Sequence, residues 1–190
     1  VLDALRPATP QDRSRARAEA AFIKADALLQ TGKKENLQQA AEILRASLAD
    51  WRTAEIPYGE ADALNLLGIT HRRLGETNQA IERYQQAFDV FQRQNWPIGK
   101  ALMLNNIGVA YSEAGDKATA LQYYRHVTEI WREWNTSIMY GISMTNLGSL
   151  YGSVGEFRKG IETLNEALAI WEGRDDRKWK YSALNKLAAI

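Results

Sequence analysis

The 190-residue chain contains no cysteine and only four prolines. Without thiols it can build neither disulfides nor thiolate metal sites, and a reducing compartment is permitted, so the cytoplasm is the favoured location. Acidic and basic residues nearly cancel, 23 against 24, leaving a net charge of +1. No electrostatic footprint for nucleic acid or an anionic membrane follows from that balance. No apolar run approaches the roughly 18 residues that span a bilayer, and no signal peptide precedes the first polar stretch. The phosphate-binding loop, the dinucleotide-binding glycine motif, the zinc-protease motif and the nucleophile elbow are all missing. Neither a catalytic constellation, a cofactor site nor a metal site is therefore expected. Only two histidines are present. His71 falls where Tyr111 and Tyr151 recur, and so is expected to pack between helices. His126 is expected to be solvated, like the acids Glu133, Asp175 and Asp176 at turns and outer faces.

What the chain does have is periodicity. Leu104, Ile107, Gly108 and Tyr111 stand at i, i+3, i+4 and i+7, one face of a helix. Gly115 ends that helix, because a left-handed C′ position is cheap for glycine. Ala120, Tyr124, Val127 and Trp131 then mark a second helix. A shift of forty residues repeats the pattern: Gly68, Gly108 and Gly148; Gly75, Gly115 and Gly155; Trp51, Phe91, Trp131 and Trp171. A glycine inside a helix costs about 1 kcal/mol relative to alanine, so one at a fixed phase asks for a packing reason. Closest approach of two helices, small residue against small residue (Ala80, Ala120, Gly160), supplies it.

These residues resemble the tetratricopeptide repeat, a helix-turn-helix unit with the pattern W-x2-L-G-x2-Y…A-x3-F…P. The resemblance rests on Leu67-Gly68, Ile107-Gly108-x2-Tyr111 and Leu147-Gly148-x2-Tyr151, then on Ala80-x3-Tyr84 and Ala120-x3-Tyr124. Gly160-x3-Leu164 is a weaker copy. The leading tryptophan is replaced by Leu64, Leu104 and Met144, the closing proline is absent, and the period is forty instead of thirty-four. That longer period is similar to the subclass in kinesin light chains and bacterial peptide sensors. The resemblance implies an all-α solenoid of tetratricopeptide repeats, coiled into a right-handed superhelix with a concave groove that binds protein or peptide.

Along the chain, residues 1–12 read as a linker or the end of a preceding domain, with Asp12 or Ser14 capping the first helix. The array occupies 13–190, with repeats at about 13–53, 58–93, 98–134 and 138–172 and the first helix of a fifth unit at 178–190. From Gly32 to Ala40 is eight residues, against five from Gly75 to Ala80, so the first repeat is expected to carry three extra residues in its turn. Ile56-Pro57-Tyr58-Gly59, Trp96-Pro97-Ile98-Gly99, Thr136-Ser137 and 173–177 read as connectors. Gly99→Leu, in a connector, is expected to disturb packing less than Gly108→Leu. Trp51, Trp131 and Trp171 read as core. Trp96, Trp134 and Trp179 lie at connectors, where a partner surface is the alternative to packing. A chain that starts with valine and ends inside a helix reads as a piece of a larger, bacterial multidomain protein.

The segment from Ala4 to Arg13, the run Glu19-Ala20-Ala21-Phe22 and the stretch Thr31 to Ala40 resemble the repeat region of bacterial proteins with a caspase-like (CHAT) peptidase domain. That resemblance implies a regulatory or sensing arm of a protease. A further alternative is self-association through the apolar edge left by the unpaired last helix.

In the family the first helix of each repeat lines the concave face, so the resemblance assigns peptide contacts to residues three before and one after the central glycine. Those are Asn65, Asn105, Thr145 and Asn185, then Ile69, Val109, Ser149 and Ala189. Asn106, Asn146 and Lys186 flank the same wall, Leu102 and Ile142 add apolar contacts, and Arg72 and Arg73 with Lys186 add a basic rim. Asparagine is a mediocre helix former, and its recurrence has two readings that can coexist. It is either a hydrogen bond fixing the stacking of adjacent repeats or a ladder of amides for an extended peptide.

Overall fold

The computed structural model describes residues 7–134, 137–174 and 176–190. The expectations for residues 1–6 (half of the linker and the start of the CHAT-like segment), for Thr136 and for Asp175 lie outside them. Nine helices make up the described chain: α1 (Pro10–Gln30), α2 (Lys34–Thr53), α3 (Pro57–Arg73), α4 (Thr77–Arg93), α5 (Pro97–Glu113), α6 (Lys117–Glu133), α7 (Ser137–Ser153), α8 (Phe157–Gly173) and α9 (Arg177–Ala188). From α5 onward each helix begins forty residues after its counterpart in the preceding repeat. The repeat read from the glycines is the repeat of the helices, and the architecture is an all-α helical-repeat solenoid. Two compact units divide between Met103 and Leu104, inside α5.

Local chemistry sets the helix ends. Gly32, Gly75, Gly115 and Gly155 hold φ between +68° and +89°, the left-handed C′ conformation that only glycine adopts cheaply. Two further helix ends use Glu55 (φ 56°) and Asn95 (φ 50°) in the same role. Pro57 and Pro97 follow directly as first helical residues, where a missing N–H loses nothing.

Three sequence expectations change here. The first helix starts at Pro10, and Thr9 is its cap. Thr9 Oγ1 accepts from Asp12 N at 3.1 Å, while Asp12 Oδ2 accepts from Thr9 N at 2.9 Å. Asp12 is thus the reciprocal member of a capping box, and Ser14 lies buried, accepting from Arg17. The first turn is no longer than the others: Thr31–Lys33 separate α1 from α2, as Leu74–Glu76 separate α3 from α4. The extra residues extend α2, which has 20 residues against 17 in α4. There Leu37 buries against the core and makes the added turn a packed one. Asp176 is no solvated acid, since its carboxylate accepts from Trp179 N and caps α9.

In the first unit α1 pairs with α2, α3 pairs with α4, and α2 packs on α3. Ala25, Leu29, Leu44, Leu64, Leu67 and Tyr84 form the dry interior. Arg17 pairs with Asp50 across the first helix pair, and Arg73 Nη1 donates to Leu29 O at 2.8 Å. In the second unit α7 packs on α6, α8 and α9. Tyr124, Leu147, Leu150 and Tyr151 gather in one cluster, and Met144, Ala167, Trp171 and Ala183 in another. The guanidinium of Arg125 donates to Tyr151 Oη at 2.9 Å.

The central glycines do mark close approach, but to a ring instead of to the alanine. A Cβ on Gly68 would stand 2.5 Å from Tyr84 Cε1, and one on Gly108 would stand 2.9 Å from Tyr124 Cε1. Only Gly148 meets small-residue backbone, with Gly160 O 3.2 Å away. The connector glycines belong to the packing as well. A Cβ on Gly99 would lie 2.5 Å from Phe91 Cγ and 2.6 Å from Trp96 Cε3, so the expected leniency of that position is overturned.

Candidate functional site

The first helix of each repeat carries the residues named from the sequence. On α3, Asn65, Ile69 and Arg72 are each half-buried, as is Leu102 at the first-unit end of α5. In the second unit Asn105, Asn106 and Val109 on α5, and Ile142, Asn146 and Ser149 on α7, are likewise half-buried. On α9, Asn185 is exposed and Lys186 half-buried. A helical position that is partly covered and still wet is what a side chain on a groove wall requires.

Two contacts connect these residues across neighbouring first helices. Asn146 Nδ2 donates to Asn105 Oδ1 at 3.5 Å, at the outer edge of hydrogen-bonding distance. Lys186 Nζ donates to Ser149 Oγ at 3.3 Å. Asparagine offers two donors and an acceptor with two lone pairs, so a single long bond leaves most of the capacity of Asn105 and Asn146 for water or a ligand. Val109 packs against the Leu147 and Leu150 cluster, and Ile142 against that of Met144 and Trp171. Their apolar surface is thereby partly spent inside the fold.

Thr145 leaves the groove face. Its side chain is fully buried, its hydroxyl donates to Gly141 O at 2.8 Å, and it accepts from Trp171 Nε1 at 3.3 Å. The same helical phase that presents Asn105 to solvent thus turns Thr145 toward the partner helix. Threonine is short enough to satisfy both groups indoors, and its polarity in the sequence points the wrong way.

His71 is buried as expected, with Nδ1 2.6 Å from Glu76 Oε2. Its Nε2 has no partner among the described residues. A polar cleft of about 350 Å³ lies beside it, lined by Gln38, Glu42 and Arg45 among others. No group of three histidine or carboxylate side chains converges there or anywhere among the described residues. His126 is exposed. Of the connector tryptophans, Trp96 packs edge-on against Phe91 and Tyr58, with centroids at 4.9 and 5.3 Å, and Trp179 stacks on Trp171 at 5.8 Å. Trp134 stays 44 % exposed.

A second cleft, of about 320 Å³, opens in the first unit between α1 and α3. Phe22 and Ile23 of α1, Trp51 of α2 and Gly59 of α3 wall it, with Glu19 and Asp62 contributing carboxylates. Asp62 is exposed, yet the protein around its carboxyl partly desolvates it and pushes the pKa above the ordinary value. The reading of the sequence missed this cleft. Its one signal was Ile23, a large apolar residue off the stripe formed by Ala18, Ala25 and Leu29.

No helix of the described chain is long and apolar enough to cross a membrane. A sequence model of the tetratricopeptide repeat matches residues 31–93 and 99–173. No curated protein matches the chain in sequence. Among solved structures it is similar to the TPR-like repeats of a kinesin light chain-type protein from Podosopora anserina, with 18 % identity and a TM-score of 0.69 over 95 % of this chain and 86 % of that one. It is also similar to a signal-transduction ATPase with a tetratricopeptide repeat sensor from Pyrococcus horikoshii, with 13 % identity and a TM-score of 0.79 over 94 % of this chain and 27 % of that one. A Rap protein solved in complex with Competence and Sporulation Factor gives 15 % identity and a TM-score of 0.72, over 88 % and 47 % of the two chains. At these identities the likeness is one of fold.

Proposed function

Because this chain belongs to the tetratricopeptide repeat family, we propose that it is a non-catalytic scaffold that binds a protein or an extended peptide along its first-helix faces. The observation that carries the reading is the pair Asn105 and Asn146. Two half-buried amides on neighbouring first helices share one long hydrogen bond, which leaves most of their hydrogen-bonding capacity for a ligand. Adjacent helices lie about 8–10 Å apart and an extended strand advances about 3.3 Å per residue, so one repeat corresponds to roughly three ligand residues. Amides match a peptide backbone without reading its side chains. A Rap protein of similar fold, solved in complex with Competence and Sporulation Factor, supports a partner-binding reading.

An uncharged, acetylated Ala/Gly/Ser heptapeptide is the probe. A peptide hydrogen bond contributes roughly 0.5–1.5 kcal/mol net, so Asn105→Ala combined with Asn146→Ala should weaken binding about tenfold, measured by titration calorimetry. The unfolding midpoint should barely move, since the Asn146–Asn105 bond is long. A double variant that loses stability and keeps its affinity would show that the amides only staple neighbouring repeats.

A further inference from the structure

We propose that the cleft between α1 and α3 of the first unit receives an apolar side chain together with an adjoining lysine or arginine of a partner peptide. The proposal rests on the peptide-binding reading above and gives it a second, side-chain-specific subsite.

The walls are apolar and available. Ile23 is 70 % exposed, the most exposed large hydrophobic residue among those described, and it takes no part in the buried stripe of α1. Trp51 forms the α2 wall, held close to α3 because Gly59 has no Cβ; one would lie 2.3 Å from Trp51 Cε3. In later repeats a connector tryptophan packs on the residue equivalent to Trp51: Trp96 on Phe91, and Trp179 on Trp171. Ile56 stands one period before Trp96, and among the described residues no ring packs on Trp51. The cleft lies where no ring among the described residues covers that tryptophan, and at about 320 Å³ it is at the small end for ligand sites. It suits one or two side chains.

The charge of the cleft selects the neighbour. Its ionisable groups are the carboxylates of Glu19 and Asp62. Glu19 is paired with Arg15 at 2.7 Å, whereas Asp62 has no ion-pair partner among the described residues. Asp62 is exposed at the cleft mouth, but its neighbours partly desolvate the carboxyl and raise its pKa, a cost that a cation seated beside it would offset. An anion or a second carboxylate would deepen it. Apolar wall and uncompensated acid together describe a site for an apolar residue followed by Lys or Arg.

The test is a titration of the isotope-labelled chain, followed by NMR, with acetylated Gly-Leu-Lys-Gly and Gly-Leu-Glu-Gly. The lysine peptide should shift the signals of Ile23 and Asp62 and bind at least about fivefold more tightly than its glutamate counterpart. Asp62→Asn should erase that preference, Asp62→Glu should restore it, and Ile23→Ser should weaken both peptides. Both positions face solvent, so the helices should survive; circular dichroism verifies this. Equal binding of the two peptides, no binding of either, or an unchanged preference in Asp62→Asn would overturn the proposal. So would a concentration-dependent shift of Ile23 without peptide, which assigns the cleft to a second copy. A fivefold gain in affinity on Arg6→Glu would assign it to the chain's own Leu5-Arg6. If the lysine peptide fails while the uncharged heptapeptide still responds to the asparagine double variant, the amide face stands and the cleft does not.

Discussion

Thr145 and Phe22 occupy one repeat position, three residues before the centre of the first helix, and they leave two equivalent tryptophans in opposite states. Trp171 Nε1 donates to Thr145 Oγ1 at 3.3 Å, while Trp51 Nε1 is buried with no partner among the described residues. Phenylalanine has no acceptor to offer. An orphaned buried donor costs about 1–3 kcal/mol, so Thr145→Val, which keeps the shape and removes the oxygen, should destabilise by about that amount in urea unfolding. A midpoint within error of the parent would mean that the hydroxyl contributes nothing to Trp171. None of this was legible from the residue type, since periodicity placed Thr145 beside Asn105 and only the packing of the helices decided which of them stays wet.

At the scale of helices, the connectors carry packing that the sequence assigned to helix interiors alone. Gly59 and Gly99 sit in the first turns of α3 and α5, where a Cβ would stand 2.3 Å from Trp51 Cε3 and 2.5 Å from Phe91 Cγ respectively. The central Gly108 has slightly more room, at 2.9 Å from Tyr124 Cε1. Gly99→Ala should therefore cost at least as much as Gly108→Ala, roughly 1–3 kcal/mol from overpacking. Phe91 is wedged between Gly99 and Trp96 and has little room to yield. Chemical denaturation of the two variants decides it: a neutral Gly99→Ala would refute the contact. The forty-residue spacing of Gly59 and Gly99 was visible in the sequence, but Ile-Pro and Trp-Pro beside them read as breaks. The prolines in fact open helices, and the glycines already lie inside those helices.

At the scale of the molecule, stability is distributed. In the first unit α1 packs on α2, α2 on α3 and α3 on α4, with α1 also touching α3; in the second α6 packs on α7, α7 on α8 and α8 on α9, with α7 also touching α9. Such arrays behave as sums of repeat and nearest-neighbour terms. Leu44 is fully buried in the first unit, and Leu44→Ala should cost about 2–5 kcal/mol. Hydrogen exchange should report that loss mainly as faster exchange in α1, α2 and α3, with α7 and α8 much less affected. A uniform loss of protection from α1 to α9 would show one cooperative block instead.

The sequence by itself determined the helices, their forty-residue register and the family. Those follow from local chemistry, namely apolar spacing at 3.6 residues and glycine at left-handed C′ positions. It also identified most of the core, because Trp171, Tyr124 and Leu147 recur at a fixed phase. The tertiary structure decided what a phase leaves open: which polar side chain is turned indoors, as Thr145 is, and which ring a glycine meets. It alone brought Phe22, Trp51 and Asp62 from three helices to one cleft, because the juxtaposition depends on how helices pack and has no spacing in the chain to announce it.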